Sequence, residues 1–230
     1  MKKSMLAAMA LVVLALAALP AVAVASPALD YEYGEFTVAG GEVQLTGAEP
    51  GIRCEGIVGG GEFETSQTGS VQFFFHECEE EAFGSACSSA GQPEGTIVTT
   101  TLPFHLKTTT EDHTPAMLVT PNSNIEEEHF ATFECLGGFI GIAVRGNGVI
   151  GEIVEPGYNE VSKTFTVEFK STQSGSAIQT PRKVDETPSV TYGLNVSVNG
   201  SPEPETVALD TEVTGTFAGG EGPTLTTLAE

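Results

Sequence analysis

The sequence predicts an all-β protein: an antiparallel sandwich or, as the alternative, a partly open barrel. Three observations predict this class. Apolar and polar residues alternate in runs along the chain, clusters of Gly, Pro, Asn and Ser separate these runs, and four cysteines are available to form disulfides. Alternation with a period of two is typical of a strand with one buried face. Many short strands separated by turn residues indicate a sandwich or a barrel.

The alternating runs extend over most of the chain. Their apolar members include Val71, Phe73 and Phe75; Leu102, Phe104 and Leu106; Ile140, Ile142 and Val144; Phe165, Val167 and Phe169; and Tyr192, Leu194, Val196 and Val198. Turn residues fill positions 120–124 and 155–159, and polar connections are expected at 181–188 and 202–205. No stretch of a dozen residues has helical spacing, so any helix is short. We expect it at 126–131, where three glutamates favour the first turn.

The first 25 residues have the pattern of a signal peptide. Lys2 and Lys3 precede an apolar stretch, Pro20 interrupts that stretch, and Ala23-Val24-Ala25 gives the small-x-small pattern of a cleavage site. The alternative is a membrane anchor, because a spanning helix needs about 20 apolar residues. The proline and the small residues favour cleavage after Ala25.

Cleavage leaves a chain whose expected organisation is simple. Residues 26–218 are predicted to form a single β domain, and 219–230 a frayed C-terminal tail. No second apolar run of spanning length follows the signal peptide. We therefore expect no membrane span after cleavage, and a protein that is secreted or held at the cell surface.

The chain is strongly acidic, with 31 Asp and Glu against 9 Lys and Arg and a formal charge of −22. Loss of Lys2 and Lys3 with the signal peptide makes the charge −24. Binding to nucleic acid depends on neutralising phosphates with cations, so this charge argues against a nucleic-acid partner and against anionic lipid surfaces. Disorder is not expected, because 40% of the residues are apolar and they occur in patterned runs.

Four cysteines in an exported chain predict two disulfides. Residues 52–64 and 70–78 resemble a hairpin in which Cys54 and Cys78 lie nearly opposite each other, at a separation that suits a disulfide. By elimination, Cys87 then pairs with Cys135. The alternative is Cys78–Cys87, closing a short loop, together with Cys54–Cys135.

Two sets of residues match known binding motifs in residue type, but not in the structural context that the motifs need. The run from Gly146 to Gly151 fits G-x-G-x-x-G, but a strand pattern follows it instead of the helix that a dinucleotide site needs, and Asn147-Gly148 is predicted to form a hairpin turn. A zinc site would require reduced cysteines, with His76 and Cys78 joined by His129 and Cys135. In an exported protein we expect oxidation instead.

Acidic clusters suggest a weaker metal hypothesis. The calcium candidates are Glu79, Glu80, Glu81, Glu126, Glu127 and Glu128. Calcium takes six to eight oxygen ligands from such carboxylates, but no D-x-D-x-D-G loop is present. A secreted hydrolase using paired glutamates is a further alternative, since two facing carboxylates are the machinery of a glycosidase.

One resemblance extends over residues 50–200 and includes the four cysteines. The segments 87–100 and 144–151, followed by a strand at 163–170, resemble uncharacterised exported proteins of actinobacteria. The resemblance implies a location outside the cytoplasm and no activity, cofactor or substrate. The chain departs from that pattern at Asn147, which is inserted, and in its unusually acidic loop after Cys78.

The sequence therefore predicts an exported, non-enzymatic β-domain protein with a structural or binding role at or outside the cell envelope. Its partner is an unknown envelope or extracellular molecule. A calcium-stabilised adhesion-like module and a secreted hydrolase are the alternatives. No catalytic residue and no cofactor are expected.

Overall fold

A computed structural model describes residues 26–30, 34–47, 49, 51–122, 129–173, 175–219 and 222–228. The predicted signal peptide and the calcium candidates Glu126, Glu127 and Glu128 lie outside the described residues. In the described ranges no helix has the length and apolar character needed to cross a membrane.

The described structure consists of eighteen strands and one short 3₁₀ turn. The strands are β1 (Ser26–Leu29), β2 (Glu35–Gly40), β3 (Val43–Thr46), β4 (Ile52–Cys54), β5 (Gly56–Phe63), β6 (Thr68–His76), β7 (Glu79–Glu80), β8 (Ser85–Ser88), β9 (Ile97–Val98), β10 (Leu102–Thr108), β11 (Pro115–Val119), β12 (Ala131–Cys135), β13 (Ile140–Glu155), β14 (Thr164–Ser171), β15 (Gln179–Thr180), β16 (Gly193–Val198), β17 (Glu205–Phe217) and β18 (Leu225–Leu228). The 3₁₀ turn η1 spans Leu136–Gly138. The predicted all-β, antiparallel class is confirmed.

The strands form rings that are held together by two long strands, β13 and β17. One ring runs β13–β11–β10–β6–β5–β2–β17–β14 and returns to β13, and every pairing in it is antiparallel. A second runs β13–β12–β8–β7–β4–β3–β17–β16 and also returns to β13. Because β13 and β17 change partners halfway along, the rings are not a regular barrel.

Two glycines allow β13 to change partners. The first part of this strand pairs with β12 and β16, the second part with β11 and β14, and the register shifts between Gly146 and Gly148. Their φ values of 141° and 156° belong to the region that favours glycine. The predicted hairpin turn at Asn147-Gly148 is therefore wrong. These residues form an irregularity within one continuous strand, because the apolar run on each side pairs with a different set of strands.

Phenylalanine rings fill the interior of the first ring of strands. Phe36, Phe63, Phe104, Phe165 and Phe217 are buried and their rings are in mutual contact. Three of these rings lie beside a glycine that is directly opposite in the neighbouring strand. The pairs are Phe36 with Gly61, Phe104 with Gly69 and Phe165 with Gly215. The missing side chain of each glycine leaves the space that the ring occupies.

The predicted apolar runs at 71–75, 102–106, 140–144 and 165–169 all lie in strands. The prediction of a frayed tail is wrong for Leu225–Leu228, which pairs with Ser26–Leu29 as strand β18. The side chain of Leu225 is almost fully buried, and this burial holds the segment on the core. At the predicted short helix, Ala131 instead begins strand β12, and the preceding residues 126–128 lie outside the described ranges.

Candidate functional site

The register of the second ring places the four cysteines in one row across four strands. Strands β4 and β7 continue the register of the β5–β6 hairpin, so Cys54 lies opposite Cys78. The β7–β8 pairing then places Cys78 opposite Cys87, and Cys87 pairs directly with Cys135 on β12. Opposed residues in neighbouring strands project from the same face of a sheet, so the four side chains form a single row.

The row contains two disulfides, Cys54–Cys78 and Cys87–Cys135, and both predicted pairings are confirmed. The Cα–Cα distances are 4.0 Å and 4.2 Å. These are close to the spacing of about 4.5 Å expected for opposed residues that do not exchange main-chain hydrogen bonds. All four cysteines are buried and none is free, so Cys78 and Cys135 have no thiolate to offer to zinc.

The turn between β7 and β8 is organised by the buried carboxylate of Glu80. Its Oε2 accepts a hydrogen bond from the amide of Ala82 at 2.9 Å. Its Oε1 accepts hydrogen bonds from the amides of Phe83 and Ser85 at 2.9 Å and 3.3 Å. These are charge-assisted bonds to main-chain amides of the turn and of the start of β8, and they fix the backbone there. The amide of Gly84 also donates to the carbonyl of Glu80 at 3.0 Å.

The other two calcium candidates of this segment serve different purposes. Glu79 forms an ion pair with Arg53 at 3.4 Å, and the carboxylate of Glu81 lies in the exposed turn. Among the described residues no group of three or more His, Cys, Asp or Glu is placed to hold a metal ion. Glu79, Glu80 and Glu81 are therefore consecutive in sequence, but their carboxylates do not lie in one coordination sphere.

The turn held by Glu80 exposes an aromatic ring. Phe83 is 77% exposed to solvent, although most large apolar side chains of the described residues are buried. A second ring, Phe139, is 83% exposed and directly follows the 3₁₀ turn Leu136–Gly138. Exposed large apolar side chains are uncommon enough to need an explanation when they occur together.

The two exposed rings belong to neighbouring turns. Since Cys87 pairs with Cys135, the residues before Cys87 run alongside those after Cys135, and β8 contacts the 3₁₀ turn. Phe83 lies just before β8 and Phe139 just after that turn. We call Phe83 and Phe139 together the aromatic tip. The Cys87–Cys135 disulfide joins the two strands β8 and β12 that lead to these turns, and Cys54–Cys78 joins β4 to the start of β7.

The surroundings of the aromatic tip are acidic. Glu81 and Glu134 are exposed beside the two turns, and Glu79 is half-buried. Among the described residues, Arg53 is the one cation in an ion pair with an acid of this group, at Glu79. The tip therefore presents two apolar rings within a negatively charged border.

The aromatic tip was not among the residues that the sequence suggested as functional. The usable signal was a phenylalanine in a turn-like context, Ala82-Phe83-Gly84 and Gly138-Phe139, outside the alternating pattern of any strand. An apolar residue that has no place in a strand pattern has no obvious position in the core.

A second feature is an open polar cleft with a volume of about 990 Å³. Its lining includes Ser70, Thr101, His105, Asn122, Asn147 and Asn195. Burial lowers the pKa of His105 below its ordinary value of 6.5, and the nearby Lys107 lowers the pKa further. The cleft offers mainly neutral hydrogen-bonding groups, and Glu64 is the one carboxylate among its lining residues, so no two carboxylates face each other across it.

Glutamates do meet on the outer face of the first ring, where Glu152 lies opposite Glu168. Both carboxylates contact the ammonium of Lys170, at 2.6 Å and 3.1 Å, and the hydrogen bond that Lys170 donates to Glu152 is the main cause that raises the pKa of Lys170. The carboxylates are side by side on one sheet face with a cation shared between them. A glycosidase instead places its two carboxyl groups on either side of the scissile bond.

Comparison of the chain with protein-family models, with curated proteins and with solved structures finds no match.

Proposed function

We propose that this protein is an exported, non-enzymatic β domain that binds a protein partner at or outside the cell envelope through the aromatic tip. The observation that carries this proposal is the exposure of Phe83 and Phe139 on neighbouring turns, whose strands β8 and β12 are joined by the Cys87–Cys135 disulfide. Disulfides in an all-β chain without a described membrane-spanning helix fit a location outside the cytoplasm.

Rigid presentation makes the two rings suitable for binding. Burying a phenylalanine side chain in a partner contributes about 1.5–3 kcal/mol. Ordering a mobile loop on binding would oppose that gain, but the Glu80 hydrogen bonds and the disulfides fix the turns beforehand. Aromatic anchors in fixed positions are the residues that dominate protein–protein affinity.

The charge around the tip defines the partner. Glu81 and Glu134 favour a surface that carries positive charge around two apolar pockets. An anionic membrane is disfavoured, because a chain with a net charge of −22 is repelled by its head groups. The partner class is therefore a basic protein surface.

Site-specific crosslinking tests this proposal. A photoreactive phenylalanine analogue is placed at position 83 or 139 of the full chain in the exporting cell. The matched control carries the analogue at Val161, an apolar residue that is 67% exposed on the connection between β13 and β14. We expect one discrete protein adduct from positions 83 and 139 and none from 161. Added unlabelled protein should suppress the adduct, and its Phe83→Ser/Phe139→Ser variant should not.

Three results would overturn the proposal. Equal crosslinking at 83, 139 and 161 would mean that the exposed rings have no preferred partner. Equal suppression by the double serine variant would mean that the rings do not carry the affinity. Adducts to lipid would replace the protein partner with a membrane.

The two alternatives have direct tests. If the protein is a calcium-stabilised module, EDTA should lower its melting temperature. An unchanged melting temperature would rule out this alternative. A hydrolase using paired glutamates predicts that Glu152→Gln or Glu168→Gln abolishes hydrolysis of a glycoside. The shared Lys170 contact favours a structural purpose for this pair.

A further inference from the structure

An apolar cavity of about 90 Å³ lies between the two rings of strands. Among the residues that line it, all side chains are apolar except those of Thr99 and Thr211. The hydroxyl of Thr99 already has a partner, since it accepts a hydrogen bond from the amide of Phe73 at 3.0 Å. The hydroxyl of Thr211 is buried and has no hydrogen-bond partner among the described residues.

We infer that this cavity is a binding site for a small apolar molecule that carries one hydrogen-bonding oxygen. Thr211 lies on β17 between the segment that pairs with β3 and the segment that pairs with β2, and it is more than nine-tenths buried. A buried hydroxyl without a partner costs free energy, and a ligand oxygen beside it removes that cost.

Water is a poor occupant of this cavity. A buried water makes about three hydrogen bonds, whereas Thr211 offers the one free hydroxyl among the lining side chains. A cavity of about 150 Å³ lined by apolar side chains holds benzene, so one of about 90 Å³ holds a molecule of about four heavy atoms. Short branched alcohols and ketones have this size and polarity.

A matched pair of probes tests the site in the oxidised, mature protein. Isobutane and tert-butanol share one carbon skeleton and differ by a hydroxyl. We expect both to shift NMR signals of cavity residues such as Leu194 and Phe169. Thr211→Val, which removes the hydroxyl and keeps the shape, should lower the affinity for tert-butanol relative to isobutane by about 3- to 10-fold.

Filling the cavity provides the second variant. Ala131 lines the cavity, and Ala131→Leu should abolish the response to both probes while the protein retains its disulfides. Water signals in the cavity without binding of either probe would overturn the inference. So would probe responses that are equal in the wild type and in Ala131→Leu. If the ratio of the tert-butanol and isobutane affinities were unchanged in Thr211→Val, the hydroxyl would have no role in binding. This result does not depend on whether Ala131→Leu folds.

A separate observation concerns the start of the described chain. The hydroxyl of Ser26 donates to Glu186 Oε1 at 2.8 Å, and Lys107 contacts the same oxygen at 3.5 Å. The other oxygen, Glu186 Oε2, is buried and has no partner among the described residues. Ser26 is the residue that the predicted cleavage after Ala25 would leave at the N-terminus.

We propose that cleavage supplies the missing partner of Glu186, because it creates an α-ammonium group on Ser26. This inference depends on the proposed export. The new cation would be attached to a residue whose side chain already touches the carboxylate, and it would fasten strand β1 to the domain. Processing would then stabilise the mature fold.

A four-protein cycle tests this ion pair without depending on the natural cleavage. Purified chains begin at Ser26 or at Ala25, each with Glu186 or with Glu186→Gln. In the Glu186 background, we expect the extra alanine to increase the equilibrium constant for unfolding about 10-fold. In the Gln background it should have little effect. Equal effects in both backgrounds would overturn the ion pair. A natural N-terminus other than Ser26 would overturn the role of cleavage, and recovery of the uncleaved chain only from the cytoplasm would count against the proposed export.

Discussion

The main-chain amide of Cys87 donates a hydrogen bond to the carbonyl of Cys78 at 2.8 Å, although the two residues belong to different disulfides. They are therefore neighbours in the middle of the cysteine row. Hydrogen-bonded opposed residues have Cα atoms about 5.5 Å apart, and opposed residues without these bonds about 4.5 Å apart. The disulfides connect the two outer pairs of the row, Cys54–Cys78 and Cys87–Cys135, whose Cα–Cα distances of 4.0 Å and 4.2 Å correspond to the shorter spacing.

The row predicts opposite outcomes for two double variants. In Cys54→Ala/Cys135→Ala, the remaining Cys78 and Cys87 are adjacent and should form a disulfide. In Cys78→Ala/Cys87→Ala, the remaining cysteines are separated by three strand spacings, about 14 Å, and should stay reduced. Counting free thiols by mass spectrometry checks both. A Cys54–Cys135 bridge in the second variant would contradict the register.

The buried carboxylate of Glu80 should matter more than that of its half-buried neighbour Glu79. Glu80→Gln replaces one acceptor oxygen with a donor among three amides, and we expect it to destabilise the protein by about 2–4 kcal/mol. Glu79→Gln is the matched control. Its ion pair with Arg53 is partly exposed, so the cost should be about 0–1 kcal/mol. Urea unfolding measures both, and equal costs would argue against a fixed turn beneath Phe83.

The glycines opposite phenylalanine rings should not tolerate a side chain. In Gly215→Ala, the new Cβ would overlap the ring of Phe165, and we expect a loss of about 1–3 kcal/mol. Gly56→Ala is the control, because the nearest atom to its added Cβ is 3.8 Å away. The control should change stability by less than about 1 kcal/mol. A tolerated alanine at 215 would mean that the ring is not held against the glycine.

His105 should make stability depend on pH in the mildly acidic range. Its pKa is lowered in the fold, so as the pH falls through 6.5 the unfolded chain binds a proton before the folded one does. Stability should therefore fall as the pH is lowered from about 7.5 to about 5.5. His105→Gln should reduce this loss. NMR titration should give a His105 pKa below 6.5 that rises in Lys107→Gln, and a pKa above 6.5 would contradict the burial of this ring.

The strands and the disulfides were predictable because their signals are local. Alternation at Phe165, Val167 and Phe169 defines a strand face without knowledge of its neighbours. The Cys54–Cys78 pairing followed from a hairpin, whose register is set by its turn. By contrast, the C-terminal end of the domain was mispredicted. Leu225–Leu228 has no strong pattern and becomes a strand because β1, nearly 200 residues away, pairs with it.

The aromatic tip and the cavity could not be predicted for a related reason. Whether Phe83 is exposed depends on the position of its turn relative to strands that are distant in sequence. Thr211 is one of many threonines in alternating runs, and its unpaired hydroxyl results from the packing of both rings around it. Both features are properties of the assembled strands.

The proposed function requires that the protein works outside the cytoplasm with both disulfides closed. The most direct test is mass spectrometry of the protein recovered from outside the producing cells, with non-reducing peptide mapping. We predict an N-terminus at Ser26, a Cys54–Cys78 bridge and a Cys87–Cys135 bridge. Recovery only from the cytoplasm, with residues 1–25 retained and four free thiols, would contradict it.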